Sequence, residues 1–148
     1  MDHSDTPAVR VISVSAVVLT RPDGAVVSVR KAGTDRFMLP GGKWEAGESP
    51  LECAIREIDE ELGVTLAPGA LTPIGRFHTA TANEPGFRLV SEVFAAEIDC
   101  RPEPRAEIAE IRMVGRAEMA RLAALPEDGC APWAPLLVRV ARISSALA

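Results

Sequence analysis

The hydrophobic pattern divides the chain into short apolar runs separated by turn signals. Val9–Thr20 is rich in Val and Ile and predicts a strand, and Arg21-Pro-Asp-Gly24 places Pro at the second position of a turn. Ala25–Arg30 predicts a second strand, so the chain opens as a hairpin. Phe37–Pro40 is a short apolar segment running into Gly41-Gly42, which opens a loop. Leu71–Thr81 and Phe87–Ile98 predict strands around an Asn83-Glu-Pro-Gly86 turn, and Ile108–Val114 predicts another. Ala117–Leu125 and Pro132–Leu147 predict helices, the second with Leu136, Leu137, Val140, Ile143 and Leu147 on one face.

The clearest helix lies between these strands. Ser49 is a good N-cap, Pro50 suits the first helical position, and Glu52 completes an S-x-x-E capping box. Leu51, Ala54, Ile55, Ile58 and Leu62 recur at helical spacing, and Gly63 supplies the C-terminal stop. The helix is therefore predicted over Pro50–Leu62. Mixed strands with separate helices predict an α/β sandwich. Residues 1–7 read as a flexible tail and 8–148 as one domain.

Composition narrows the function. At 148 residues, 47% hydrophobic and 25% charged, the chain has ordinary globular composition and can bury a sizeable core. A net charge of −5 argues against a nucleic-acid polymer or an anionic membrane as main partner, so an anionic substrate must meet local cations. Cys53, Cys100 and Cys130 form no C-x-x-C pair, which excludes a disulfide scaffold and the common zinc patterns and suits a reducing cytosol. Val11–Leu19 is far short of the ~18 residues of a membrane span, and the expected location is cytoplasmic.

The candidate chemistry is acidic. Arg56-Glu57-Ile58-Asp59-Glu60-Glu61 carries four carboxylates, with Glu57, Glu60 and Glu61 on one flank at i, i+3 and i+4. Like charges at this spacing cost roughly 0.2–0.5 kcal/mol per pair, and the macrodipole disfavours them near a helix C-terminus. A bound hard cation, Mg²⁺ or Mn²⁺, would relieve both penalties. A plain solvated acidic face is the alternative.

Context extends the pattern. Gly42, five residues, Glu48, seven residues, then Arg56-Glu57-Ile58-x-Glu60-Glu61-x-Gly63-Val64 matches every fixed position of the Nudix box. The chain resembles the Nudix hydrolases, most specifically over Gly42–Val64. The resemblance implies an α/β/α sandwich with a mixed sheet. It also implies Mg²⁺- or Mn²⁺-dependent hydrolysis of a pyrophosphate bond in a nucleoside diphosphate-linked compound, by water attack on phosphorus.

Residue by residue, the resemblance makes Glu57 and Glu61 principal metal ligands, with Glu60 supporting. A main-chain carbonyl of the glycine pair, Gly41 or Gly42, adds a ligand. Glu48 and Arg56 are implied to tie loop to helix through a salt bridge, with Gly42 and Gly63 as structural positions of the motif. Glutamates of the box such as Glu57 and Glu61, or the later Glu107, are implied as catalytic. Glu107 matches the family's late acidic position by spacing, with Glu110 as the other candidate. Met113 departs from the tryptophan that relatives often carry in that strand.

Phosphate-binding cations are expected at Lys43 and Arg30, with Arg36, Arg76 and Arg88 as weaker candidates. The chain has no tyrosine, so a base would stack on another ring, Phe77 and Phe87 being favoured because they flank a turn. Cys53 is read as a packing residue, and His78 is given no role. The marks of ADP-ribose, diadenosine polyphosphate and coenzyme A hydrolases are missing. That leaves a nucleoside triphosphate, cleaved to monophosphate and pyrophosphate, as the favoured substrate. Another nucleoside diphosphate derivative such as ADP-ribose or a nucleotide sugar, a non-catalytic nucleotide-binding module, and isoprenyl diphosphate isomerisation are the other readings. The expected partner is a small nucleotide, and a homodimer is common among relatives.

Overall fold

In a computed structural model, residues 10–81, 86–127 and 129–147 are described. The predicted tail (1–7), Val9 and the turn residues Asn83–Pro85 lie outside them, as does the side chain of Leu147. The strands are β1 (Arg10–Thr20), β2 (Val26–Lys31), β3 (Phe37–Met38), β4 (Gly41–Lys43), β5 (Thr72–Ala80), β6 (Phe87–Glu97) and β7 (Ile108–Val114). The helices are α1 (Pro50–Leu62), α2 (Arg116–Leu122) and α3 (Pro135–Leu147), and a short 3-10 turn covers Pro68–Ala70.

One mixed sheet contains all seven strands, in the order β3-β2-β1-β6-β5, with β4 also paired to β1 and β7 to β2. β1 runs parallel to β6 from the Arg10↔Phe87 pair to Thr20↔Glu97, and the other pairings are antiparallel. The continuous apolar run of β1 follows from cover on both faces. Alternate residues go opposite ways: Val17 and Leu19 pack with Ala54, Ile58 and Leu62 of α1, whereas Ala16 and Val18 pack with Met119 and Leu122 of α2 and Leu137 of α3. The result is a helix–sheet–helix sandwich.

Most bounds fall within a residue or two of those expected, β2 for instance covering Val26–Lys31 rather than Ala25–Arg30, and three differences are larger. Gly41–Lys43 is a strand, not an open loop: it pairs with Val14–Ala16, a partnership its own residue types do not favour. α2 stops at Leu122, and the carbonyls of Ala123 and Leu125 accept hydrogen bonds from the Arg142 guanidinium instead of continuing the helix. α3 starts at Pro135, because the residues before it are tied to β3: Phe37 N–H donates to Pro132 O at 2.6 Å and Ala134 N–H to Phe37 O at 2.9 Å. Among the described residues no helix is long and apolar enough to cross a membrane.

Candidate active site

Local signals build α1. Ser49 accepts from the Glu52 N–H at 3.1 Å while Glu52 accepts from the Ser49 N–H at 2.9 Å, and Gly63 ends the helix in the left-handed region with φ of 67°. The helix is then pinned to the sheet, since the buried Ser15 hydroxyl donates to Pro50 O at 2.7 Å and accepts from Trp44 Nε1 at 3.0 Å. Its carboxylate flank faces β4. There the two glycines allow close contact: a Cβ on Gly41 would lie 2.0 Å from the backbone Ser15 O, and one on Gly42 2.4 Å from Glu57 Cδ, which would have to move.

Glu61 is the most unusual residue of this flank. It is 2% exposed, its Oε1 accepts from the Gly41 N–H at 3.0 Å, and its Oε2 is buried with no hydrogen-bond partner. Burial pushes its carboxyl up to about 8, against the opposing Gly41 hydrogen bond. Glu57 is also covered, and burial raises it despite the Arg56 guanidinium 2.8 Å from its Oε1. Glu60 is half exposed, with Arg56 Nη1 3.3 Å from its Oε2.

Arg56 joins loop and helix. Its Nε and Nη2 donate to the two Glu48 oxygens at 2.6 and 2.9 Å, and Nη2 also reaches Lys43 O at 3.1 Å. The guanidinium, with a Glu45 N–H, holds the Glu48 carboxyl at about 2. Cys53 is buried beneath them, its Sγ 3.4 Å from Gly42 O.

The segment before β7 forms the opposite wall. It docks on carbonyls that α1 leaves unpaired at its C-terminus: Glu103 N–H donates to Leu62 O at 3.0 Å and Arg105 N–H to Glu61 O at 2.9 Å. Ala106 then takes φ of 53°, the left-handed conformation. Glu107 follows, its carbonyl accepting from the Ala32 N–H at 2.8 Å and its Oε1 lying 3.2 Å from Lys31 Nζ. Between the walls is a cleft of about 370 Å³, lined by the charged residues Lys31, Lys43, Glu57 and Glu107 and by apolar residues including Ile12, Val14, Leu89 and Leu136. A recess beside it is bounded by Lys43, Glu57, Glu60, Glu61, Ala106 and Glu107.

The fold thus gathers Gly41, Gly42, Lys43, Glu57, Glu60, Glu61 and Glu107 around one space, with Glu48 and Arg56 bracing it. Arg30 is elsewhere: its Nε pairs with Glu110 Oε1 at 3.1 Å and its Nη1 donates to Thr34 O, and it does not line the cleft. Phe77 packs into the core on the α3 face, and neither it nor Phe87 lines the cleft. Arg76 pairs with Glu92, and Arg36 Nη1 reaches Trp133 O. Lys31 is the residue the sequence reading passed over. Its signal was the period of two, which gives Lys31 the phase of Val27 and Val29, the α1 face.

Among the described residues no three His, Cys, Asp or Glu side chains converge as a ready-made cage for a metal ion. Mg²⁺ does not require one, since it keeps several waters and takes one or two carboxylates besides substrate phosphates. Glu57 and Glu61 match that demand, because Glu61 Oε2 is a buried oxygen that nothing in the protein satisfies. The contact Gly41 makes here is through its N–H.

The NUDIX-domain family model matches residues 9–134. An RNA pyrophosphohydrolase of Halorhodospira halophila is 39% identical over 59 residues, covering 40% of this chain and 32% of that protein. An uncharacterized Nudix hydrolase of Pseudomonas aeruginosa is 38% identical over 107 residues, 72% of this chain and 57% of that one. The chain spans less than two thirds of the length of these curated relatives. Among solved structures, a MutT protein from Methanosarcina mazei superposes with a TM-score of 0.69 at 17% identity, covering 95% of this chain and 99% of that one. A MutT NUDIX hydrolase from Burkholderia pseudomallei gives 0.64 at 20% identity, over 89% and 95%.

Proposed function

The chain belongs to the Nudix family, and on that premise we propose that it hydrolyses a pyrophosphate bond of a nucleoside triphosphate with Mg²⁺ or Mn²⁺, releasing a nucleoside monophosphate and pyrophosphate. The observation that carries this reading is the buried, unpartnered Glu61 Oε2 beside Glu57 in the recess next to the cleft. Glu57 and Glu61 would hold the ion, with Glu60 at the rim. When bound, such an ion neutralises phosphate oxygens and makes water acidic enough to give up a proton near neutral pH.

The chain's own groups do the rest. Arg56 and Glu48 lock the loop to α1, so that Glu57 keeps its position against Gly42. Lys43, at the cleft, meets the substrate's phosphates. The Glu107 carboxylate takes a proton from the attacking water. The water oxygen forms its bond to phosphorus, and the bridging P–O bond breaks with its electrons leaving on the departing phosphate. Glu107 then returns the proton to solvent. The name of one relative, an RNA pyrophosphohydrolase, supports pyrophosphate hydrolysis as the reaction class.

The test is an Mg²⁺-dependent assay over nucleoside triphosphates, dinucleotides and nucleotide sugars in ¹⁸O-labelled water, with products identified. Triphosphates should be cleaved to monophosphate and pyrophosphate, and chelator should abolish turnover. Preference for a nucleotide sugar or dinucleotide would replace the substrate, and no turnover of any would overturn the reading.

A further inference from the structure

β2 ends in two consecutive cations whose side chains go to opposite faces of the sheet. Arg30 has the phase of Val26 and Ser28, the face that carries α2 and α3, and its guanidinium is committed to Glu110 and Thr34 O. Lys31 has the phase of Val27 and Val29, the α1 face. A register shift against β7 falls between the two residues, so Lys31 comes opposite Ile108 and beside Glu107. Its ammonium lies 3.2 Å from Glu107 Oε1, remains 32% exposed, and lines the cleft with Glu57 and Lys43. The Glu107 backbone is fixed at this place between left-handed Ala106 and the Ala32 N–H.

We propose that the Lys31–Glu107 pair is a substrate-released latch, a reading that rests on the pyrophosphatase assignment. In the resting protein the ammonium neutralises Glu107. An entering phosphate group draws the ammonium onto its own oxygens and leaves the Glu107 carboxylate unpaired beside the reacting water. Two properties favour the exchange. An ion pair this exposed is weak. A lysine ammonium on its flexible stem is also a point charge that moves readily between acceptors, and a phosphate offers it more negative charge than one carboxylate.

The latch separates binding from chemistry in a way that simple packing does not. Calorimetry with a non-hydrolysable β,γ-imido nucleoside triphosphate and Mg²⁺ reads the binding side. Lys31→Met should weaken binding, and raise KM in the hydrolysis assay, by about tenfold, the usual scale for losing one charge-assisted contact. Lys31→Arg should stay within about threefold of wild type. Arg121→Met, which removes one exposed cation on α2, controls for net charge. Glu107→Gln should lower kcat yet tighten analogue binding severalfold, because no pair has to open; in the Lys31→Met background that tightening should vanish. Unchanged binding in Lys31→Met, or equal tightening by Glu107→Gln in both backgrounds, would overturn the latch. A wild-type protein that binds the analogue but cleaves no pyrophosphate would instead remove the enzymatic reading, while the binding arms still decide the coupling.

Discussion

Gly42 and Glu57 share a space that only one of them can fill: a Cβ on the glycine would stand 2.4 Å from the carboxylate carbon of the glutamate. The terminal carboxyl is the flexible partner, so the glutamate yields first. In Gly42→Ala the strand and helix should stay in place and Glu57 should be pushed from its position. Misplacement by about 1 Å costs on the order of 100-fold in rate. We expect kcat/KM to fall by about that factor while the circular dichroism spectrum stays native. Wild-type kinetics in Gly42→Ala would show that Glu57 is not placed by this contact.

Glu61 illustrates a conflict between stability and chemistry. Its buried Oε2 has no partner, which costs the folded chain about 1–3 kcal/mol. Glu61→Gln keeps an oxygen for the Gly41 N–H and removes the ionisable acid, but its amide nitrogen takes the unpartnered place of Oε2. The metal-free variant should therefore melt within about 1 kcal/mol of wild type. Excess Mg²⁺ should raise the wild-type melting point, as about 2.7 kcal/mol of stabilisation at 100 times Kd. It should leave the variant unmoved, and turnover should be lost. Paired thermal melts with chelator and with Mg²⁺ decide it.

Much of this site was legible because its signals are local. Ser49, Pro50, Glu52 and Gly63 bound α1 without reference to anything distant, and α1 runs over Pro50–Leu62 as the sequence predicts. What escaped was imposed from elsewhere in the fold. Gly41-Gly42-Lys43 becomes a strand only because β1 presents Val14–Ala16 to it. The start of α3 is delayed because Phe37 engages Pro132 and Ala134. Choosing Lys31 over Arg30 needed the alternation of β2 carried one residue past the predicted strand end at Arg30, and the β7 shift that brings Lys31 to Glu107 depends on pairing no local pattern encodes.

Ala106 holds Glu107 at the cleft through a backbone conformation that L-residues avoid, at a cost of roughly 1–2 kcal/mol. Glycine removes that strain but loses more entropy on folding, roughly 0.5–1 kcal/mol. Ala106→Gly should gain about 0.5 kcal/mol in urea unfolding, with kcat lowered less than about threefold. A β-branched residue cannot adopt this region without strain. Ala106→Val should thus lose more than about 1 kcal/mol and drop kcat at least about tenfold as Glu107 shifts. If both variants behave alike, the left-handed turn is not what presents Glu107.

The Glu48–Arg56 pair should give the fold a recognisable acid dependence. The guanidinium holds the Glu48 carboxyl at about 2, below the ordinary value of 4.5. A carboxyl lowered on folding binds fewer protons in the native state than in the unfolded one. Its stabilising contribution is therefore complete above about pH 5 and is lost as pH falls from 4.5 toward 2. Glu48→Gln cannot ionise and lacks this contribution at every pH. The gap in melting temperature between wild type and Glu48→Gln should be constant from pH 7 to about 5 and should close steadily below that. Added salt should narrow it only modestly, because the Glu48 side chain is 12% exposed and its pair with Arg56 is partly shielded from solvent ions. A gap that stays open at pH 2, or one that was never present at pH 7, would mean that the brace between loop and helix does not depend on this charge.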